Sequence, residues 1–249
     1  MTEDRHIVRS YDEELERLRT TLGEMGGLAE SNFARALEAL DQQDRELAGE
    51  VISDDERVDA LNHQVQDNAV RVLALRQPVA DDLRAVVAAL RVSAELERIG
   101  DYGANIAKRV LSLEGNPLPS PVRTAVRMGY LAHEILREVI DAYLQGDAQR
   151  AQALWERDVE VDDMHTSLFR ELLTYMMEDP RNITPCSHLL FVAKNIERIG
   201  DHATNVAEIG YYVVTAEEIK GERPKADRSS YALAEPGEQE DGDSGGENG

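Results

Sequence analysis

The segment Glu97-Arg98-Ile99-Gly100-Asp101 returns letter for letter as Glu197-Arg198-Ile199-Gly200-Asp201, and this duplication constrains what the chain can fold into more than any other feature. The match extends downstream, with Ala104-Asn105-Ile106-Ala107 answered by Thr204-Asn205-Val206-Ala207. Around the first copy the apolar residues Val87, Leu90, Ala94, Ile99, Ile106 and Val110 follow helical rather than alternating spacing. On a helix, positions i, i+4 and i+8 share a face. Glu97, Asp101 and Asn105 therefore line one stripe, and Glu197, Asp201 and Asn205 line another, with Glu208 one turn further. Two carboxylates four residues apart repel by a few tenths of a kcal/mol (~0.2–0.5) when solvated, and by far more when they face a low-dielectric interior. Compensation comes from a bound cation, from a basic side chain on another helix, or from water.

The rest of the sequence reads as helices around that duplication. Aromatic residues make up only 5% of the 249, while Ala, Leu, Glu, Arg and Asp dominate, the usage of long packed helices. Helices are expected over about 11–41, 44–76, 78–113, 122–145, 147–177 and 185–219. Gly26-Gly27 interrupts the composition of the first and allows a kink or a break into two helices there, although close approach by a neighbouring helix would also explain the pair. Pro78 suits a first turn, and Gly146 suits the end of the fourth helix. The three prolines of Gly115–Pro121 punctuate the chain at its middle. The expected fold is all-α: two tandem, pseudo-symmetric three-helix bundles of six long helices, over residues 5–114 and 121–219. Beyond Gly221 the composition turns to Gly, Glu, Asp, Ser and Pro, so residues 221–249 are expected to form a disordered acidic tail.

Charge and motif content exclude several functions. With 27 Lys+Arg against 49 Asp+Glu, the formal charge is −22, which repels a nucleic-acid backbone. No apolar run reaches the length of a membrane span. Cys186 is the only cysteine, and the opening residues lack a signal-peptide pattern, so a reducing cytoplasm is the expected compartment. Neither a Gly-x-Ser-x-Gly, nor a phosphate-binding Gly-rich loop ending in Lys-Ser or Lys-Thr, nor a His-Glu-x-x-His occurs. The expected protein is not an enzyme.

Packing of the second helix beside the third would bring Asp55 and Asp59 to face Glu97 and Asp101. In the other half Asp158 and Asp162 would face Glu197 and Asp201. Four carboxylates at one helix interface suit one or more hard or borderline cations. The competing reading pairs the acids with Arg98, Arg198, Arg84 and Lys194, although Arg98 follows Glu97 directly and should point about 100° away from it. His202 has Tyr102 as its counterpart and is a weaker ligand candidate, as are His165, His63 and His188.

In this helical context the duplicated Glu-Arg-x-x-Asp, the preceding Asp55-x-x-Val58-Asp59 and Asp158-x-x-Val161-Asp162, and Gln77-Pro78-x-x-x-Asp82-Leu83-Arg84 resemble the PhoU family of phosphate-transport regulators. The resemblance covers roughly residues 5–219. It implies a cytoplasmic, non-catalytic negative regulator of phosphate uptake and of the phosphate-starvation response. The implied partners are the ATPase subunit of the phosphate ABC transporter and a phosphate-sensing histidine kinase, with a homodimer as the expected assembly. It also implies metal, iron or zinc, on Glu97, Asp101, Asp55 and Asp59 and on Glu197, Asp201, Asp158 and Asp162; the oxygen-rich donors make magnesium or manganese further candidates. Asn105, Asn205 and Glu208 rank second. Lys108 stands where the second half has Glu208, so the first site is expected to bind metal more weakly. The alternatives are a carboxylate-bridged di-metal enzyme and a metal-free helical scaffold. Against the enzyme, the Glu-x-x-His spacing of such sites occurs only at Glu3–His6.

Overall fold

A computed structural model describes the backbone of residues 2–113 and 118–221, with side chains from residue 13 onward. The expected acidic tail, apart from Gly221, and part of the expected proline-rich connection lie outside the described residues.

The first bundle consists of α1 (Thr2–Gln42), α2 (Arg45–Arg76) and α3 (Ala80–Ser112). Local chemistry sets the turns. Asp44 caps α2 by accepting the Leu47 amide at 3.0 Å. Gln77 takes a left-handed conformation with φ 47°, ending α2 just before Pro78. Pro78 sits in this connection rather than in the first turn of α3, whose first acids are Asp81 and Asp82. α2 is pinned to α1 by Arg35, which reaches Glu50 at 2.5 Å and Asp54 at 2.6 Å, and by Arg76, which grips both carboxylate oxygens of Glu14 at 2.9 Å.

The second bundle consists of α4 (Val122–Gln145), α5 (Ala148–Glu156), α6 (Asp158–Glu178), a 3-10 turn (Pro180–Asn182) and α7 (Ile183–Thr215). Gly146 ends α4 at φ 67°, as its sequence position implies. The single helix expected over 147–177 is broken: at Arg157 the bonding tightens, with the Arg157 amide on the Leu154 carbonyl and the Glu160 amide on the Arg157 carbonyl. No glycine or proline marks this break. Arg157 is held there by Glu134 at 3.1 Å and Glu160 at 3.0 Å.

The bundles join along two antiparallel contacts. α1 lies on α4, where Gly26 receives Ile140 and Gly129 receives Leu37, and His133 meets Glu30 at 2.6 Å. α3 crosses α7, with Arg109 late on α3 stacked over Phe191 early on α7. One continuous apolar core, including Phe33, Leu96, Ile106, Met128, Leu136 and Leu168, runs through both bundles. α2 and the α5–α6 pair are left flanking this four-helix centre.

The glycine pair of α1 divides by role. The helix runs through it unbroken; a side chain at Gly26 would meet Ile140 at 3.0 Å, whereas the space at Gly27 is open. Gly27→Ala should therefore stabilise the protein by about 0.5–1 kcal/mol in equilibrium denaturation. Gly129→Ala, whose methyl would fall inside the fully buried Leu37 side chain, should destabilise it by about 1–3 kcal/mol. Equal effects at the two positions would contradict this packing.

Candidate functional site

α2 packs on α3 so that Gly100, in the middle of the repeated motif, faces Asp55. A methyl at Gly100 would lie 3.0 Å from Asp55 Oδ1 and 3.1 Å from Val58 Cγ1. The Asp55 carboxylate thus rests against the α3 backbone, between the turns that carry Glu97 and Asp101. Burial, then the charges of Asp101 and Asp59, push the Asp55 carboxyl up to about 6. Glu97 is also raised, by burial and by the neighbouring Asp101. These mutual effects place Asp55, Asp59, Glu97 and Asp101 in one electrostatic cluster. Lys108 tempers it from one side by drawing the Asp55 carboxyl down. Arg98 departs from the expected orientation: its long, flexible stem brings it 3.5 Å from Glu97 and 3.4 Å from Asp101. Arg84 is engaged elsewhere, with Asp81 at 2.7 Å.

The second half repeats the arrangement at greater depth. A methyl at Gly200 would lie 3.3 Å from Asp158 Oδ1 and 3.5 Å from Val161 Cγ1, the counterparts of Asp55 and Val58. Asp158, Asp162 and Glu197 are 2%, 4% and 6% exposed, whereas Asp59 lies in the open and Asp101 is only partly covered. Lys194 approaches Glu197 at 2.8 Å. His165, one turn beyond Asp162, is equally buried. The break at Arg157 falls directly before Asp158, making this ligand candidate the first residue of α6.

The two motif helices, α3 and α7, pack against each other close in sequence to these acids. Glu95 of α3 takes His202 Nδ1 at 2.6 Å and the Asn205 amide at 2.9 Å, both from α7. Burial alone would raise the Glu95 carboxyl, but these two bonds hold it below its usual range, so it is the acceptor in both. The rings of Tyr102 and His202, equivalent positions of the duplication, lie 5.5 Å apart, and Arg198 stacks over Tyr102 at 5.6 Å. Sequence reasoning missed Glu95 because its counterpart is Asn195, so no repeat marks it. The second-rank candidates divide accordingly: Asn205 bonds Glu95, Glu208 accepts the Trp155 indole N–H at 2.7 Å, and Asn105 lies 3.5 Å from Lys108. None of the three joins an acid quartet through the bonds it makes.

The donor sets are of the right chemistry for a hard or borderline cation: carboxylates on packed helices in each half of the duplication, several of them buried or partly buried. Among the described residues no three His, Cys, Asp or Glu side chains are gathered round one point as ligands. A cation would therefore have to draw in side chains that are already neighbours. Bound there, it would neutralise the clustered acids and tie α2 to α3, or α6 to α7.

The chain matches the family model described as the PhoU domain twice, over residues 22–110 and 125–210, one match in each bundle. It is 51% identical over 226 residues to the "Phosphate-specific transport system accessory protein PhoU homolog" of Rhizobium meliloti (strain 1021), an alignment spanning 90% of this chain and 95% of that one. It is 52% identical over 228 residues to the protein of the same description from Caulobacter vibrioides (strain NA1000 / CB15N), spanning 91% and 98%. The fold superimposes on the crystal structure of PhoU from Pseudomonas aeruginosa with a TM-score of 0.81 at 36% identity, covering 83% of this chain and all of that one. For the PhoU regulatory protein of Streptococcus pneumoniae the TM-score is 0.78 at 29% identity, covering 84% and 99%. With a domain match on each bundle and relatives this similar over nearly their whole length, the chain belongs to the PhoU family.

Proposed function

We propose that this protein is a cytoplasmic accessory regulator of phosphate-specific transport that restrains phosphate uptake and the phosphate-starvation response when phosphate is plentiful. It acts by contact with the ATPase subunit of the phosphate ABC transporter and with a phosphate-sensing histidine kinase. The names of its relatives support the role in phosphate transport. Among the described residues no helix is long and apolar enough to cross a membrane, in keeping with a partner-mediated place beside a transporter.

The observation that carries the metal side of the proposal is the repeated notch at Gly100 and Gly200, which seats Asp55 and Asp158 against the motif helices. Metal on Asp55, Asp59, Glu97 and Asp101, and on Asp158, Asp162, Glu197 and Asp201, fixes the flanking helices and so the surface offered to partners. The competing reading, in which basic residues alone balance the acids, draws on Lys194 beside Glu197 and Arg98 beside Glu97 and Asp101. In the second quartet Asp158, Asp162 and Glu197 are buried, a setting in which carboxylates call for cationic or hydrogen-bonding partners.

Two outcomes follow. Deleting the gene should switch on phosphate-starvation genes in phosphate-rich medium, measured by transcript level; unchanged transcripts would contradict the regulatory role. The Asp55 carboxyl, raised from its unfolded value near 3.8 to about 6, takes up its proton more readily when folded. Its stabilising contribution is thus fully present below about 3.8 and is lost as pH rises through about 6. Metal-free protein should lose stability between those values, and Asp55→Asn should flatten that slope in denaturation curves. An unchanged slope in the variant would show that Asp55 is not desolvated as described.

A further inference from the structure

A cleft of about 380 Å³ opens where α1, α3, α4 and α7 meet, drawing its walls from both bundles. It is remote from the acid clusters: on α3, Ala89 precedes Glu97 by eight residues, about 12 Å along the axis. Leu18, Ala89, Val213 and Val214 supply an apolar lining, and Tyr143 and Arg19 supply polar ends. Arg19 is exposed and makes no ion pair among the described residues, in a chain carrying far more acid than base. Its charge acts on the Tyr143 phenol, while burial dominates and pushes that group up to about 12, so the hydroxyl stays a hydrogen-bond donor at any physiological pH. Glu16 also lines the cleft, one turn before Arg19 on α1.

A volume near 400 Å³ with apolar walls and a few convergent polar groups is the ordinary form of a small-molecule site. We propose that this inter-bundle cleft binds a small amphiphilic anion, a carboxylate or equivalent acid on an apolar body, with its charge on Arg19 and its chain between Leu18, Ala89, Val213 and Val214. Because all four central helices contribute, the ligand locks the angle between the bundles and offers the regulator an input separate from its acid clusters. The proposal does not depend on the metal reading.

The test uses calorimetric titration of the full chain with octanoate and, as the uncharged analogue, 1-octanol. Octanoate should bind one to one and saturably below about 1 mM, and should raise the melting temperature. Arg19→Gln, at an exposed position that leaves the fold intact, should weaken octanoate at least about tenfold, the loss expected for one charge-assisted bond, while leaving 1-octanol unchanged. Ala89→Leu, which fills the cleft from α3, should abolish uptake of both; should it fail to fold, the Arg19→Gln comparison decides alone. Absence of saturable uptake by the full chain, equal octanoate binding in the parent and Arg19→Gln, or 1-octanol binding as tightly as octanoate would each overturn the proposal.

Discussion

At Gly100 and Gly200 the flanking helix comes so close that a carboxylate oxygen sits 3.0 and 3.3 Å from where a methyl group would stand. The rest of the candidate site depends on that contact. It presses Asp55 and Asp158 into the turns that carry the repeated Glu and Asp, where water is partly excluded and each acid feels its neighbours. An alanine at either glycine would require the facing carboxylate to give way by a few tenths of an ångström. The glycine of the motif thus brings helices together, and the acids of the motif make that closeness electrostatically expensive.

The halves resolve this tension differently. In the first, the acids are partly open to water, Arg98 leans over them and Lys108 adds a positive charge at the edge. In the second, Asp158, Asp162 and Glu197 are buried, Lys194 is the nearby base, and Glu208, which replaces Lys108, is tied to Trp155. The carboxylates of the second half are therefore the more deeply desolvated. The Glu95, His202 and Asn205 contacts and the Tyr102–His202 ring pair join α3 to α7 within four residues of the motif acids.

Much of this was legible in the residues alone. The duplication pointed to two matching helical bundles, and helical spacing to their helices apart from the break in the fifth, because recurrence separates signal from ordinary helix surface. Gly146 as a helix end follows from its freedom to adopt positive φ. The break at Arg157 was not legible, since it arises from tertiary ion pairs with Glu134 as well as from local bonding and carries no glycine or proline. The reach of Arg98 to Glu97 and Asp101 was misjudged from backbone direction alone, because a long guanidinium stem can bend across 100° of helix surface. Glu95 and the engagement of Asn205 and Glu208 depend on which helix crosses which, and no local pattern encodes that.

The central claim, that the paired acid clusters are cation sites rather than salt-bridged helix faces, is tested most directly by quantitative metal analysis. The protein would be purified without affinity tag or chelator, beside Asp101→Ala and Asp201→Ala. The account predicts stoichiometric metal in the parent, reduced in both variants and more severely in Asp201→Ala. Parent protein free of metal, or metal content equal in all three, would contradict it.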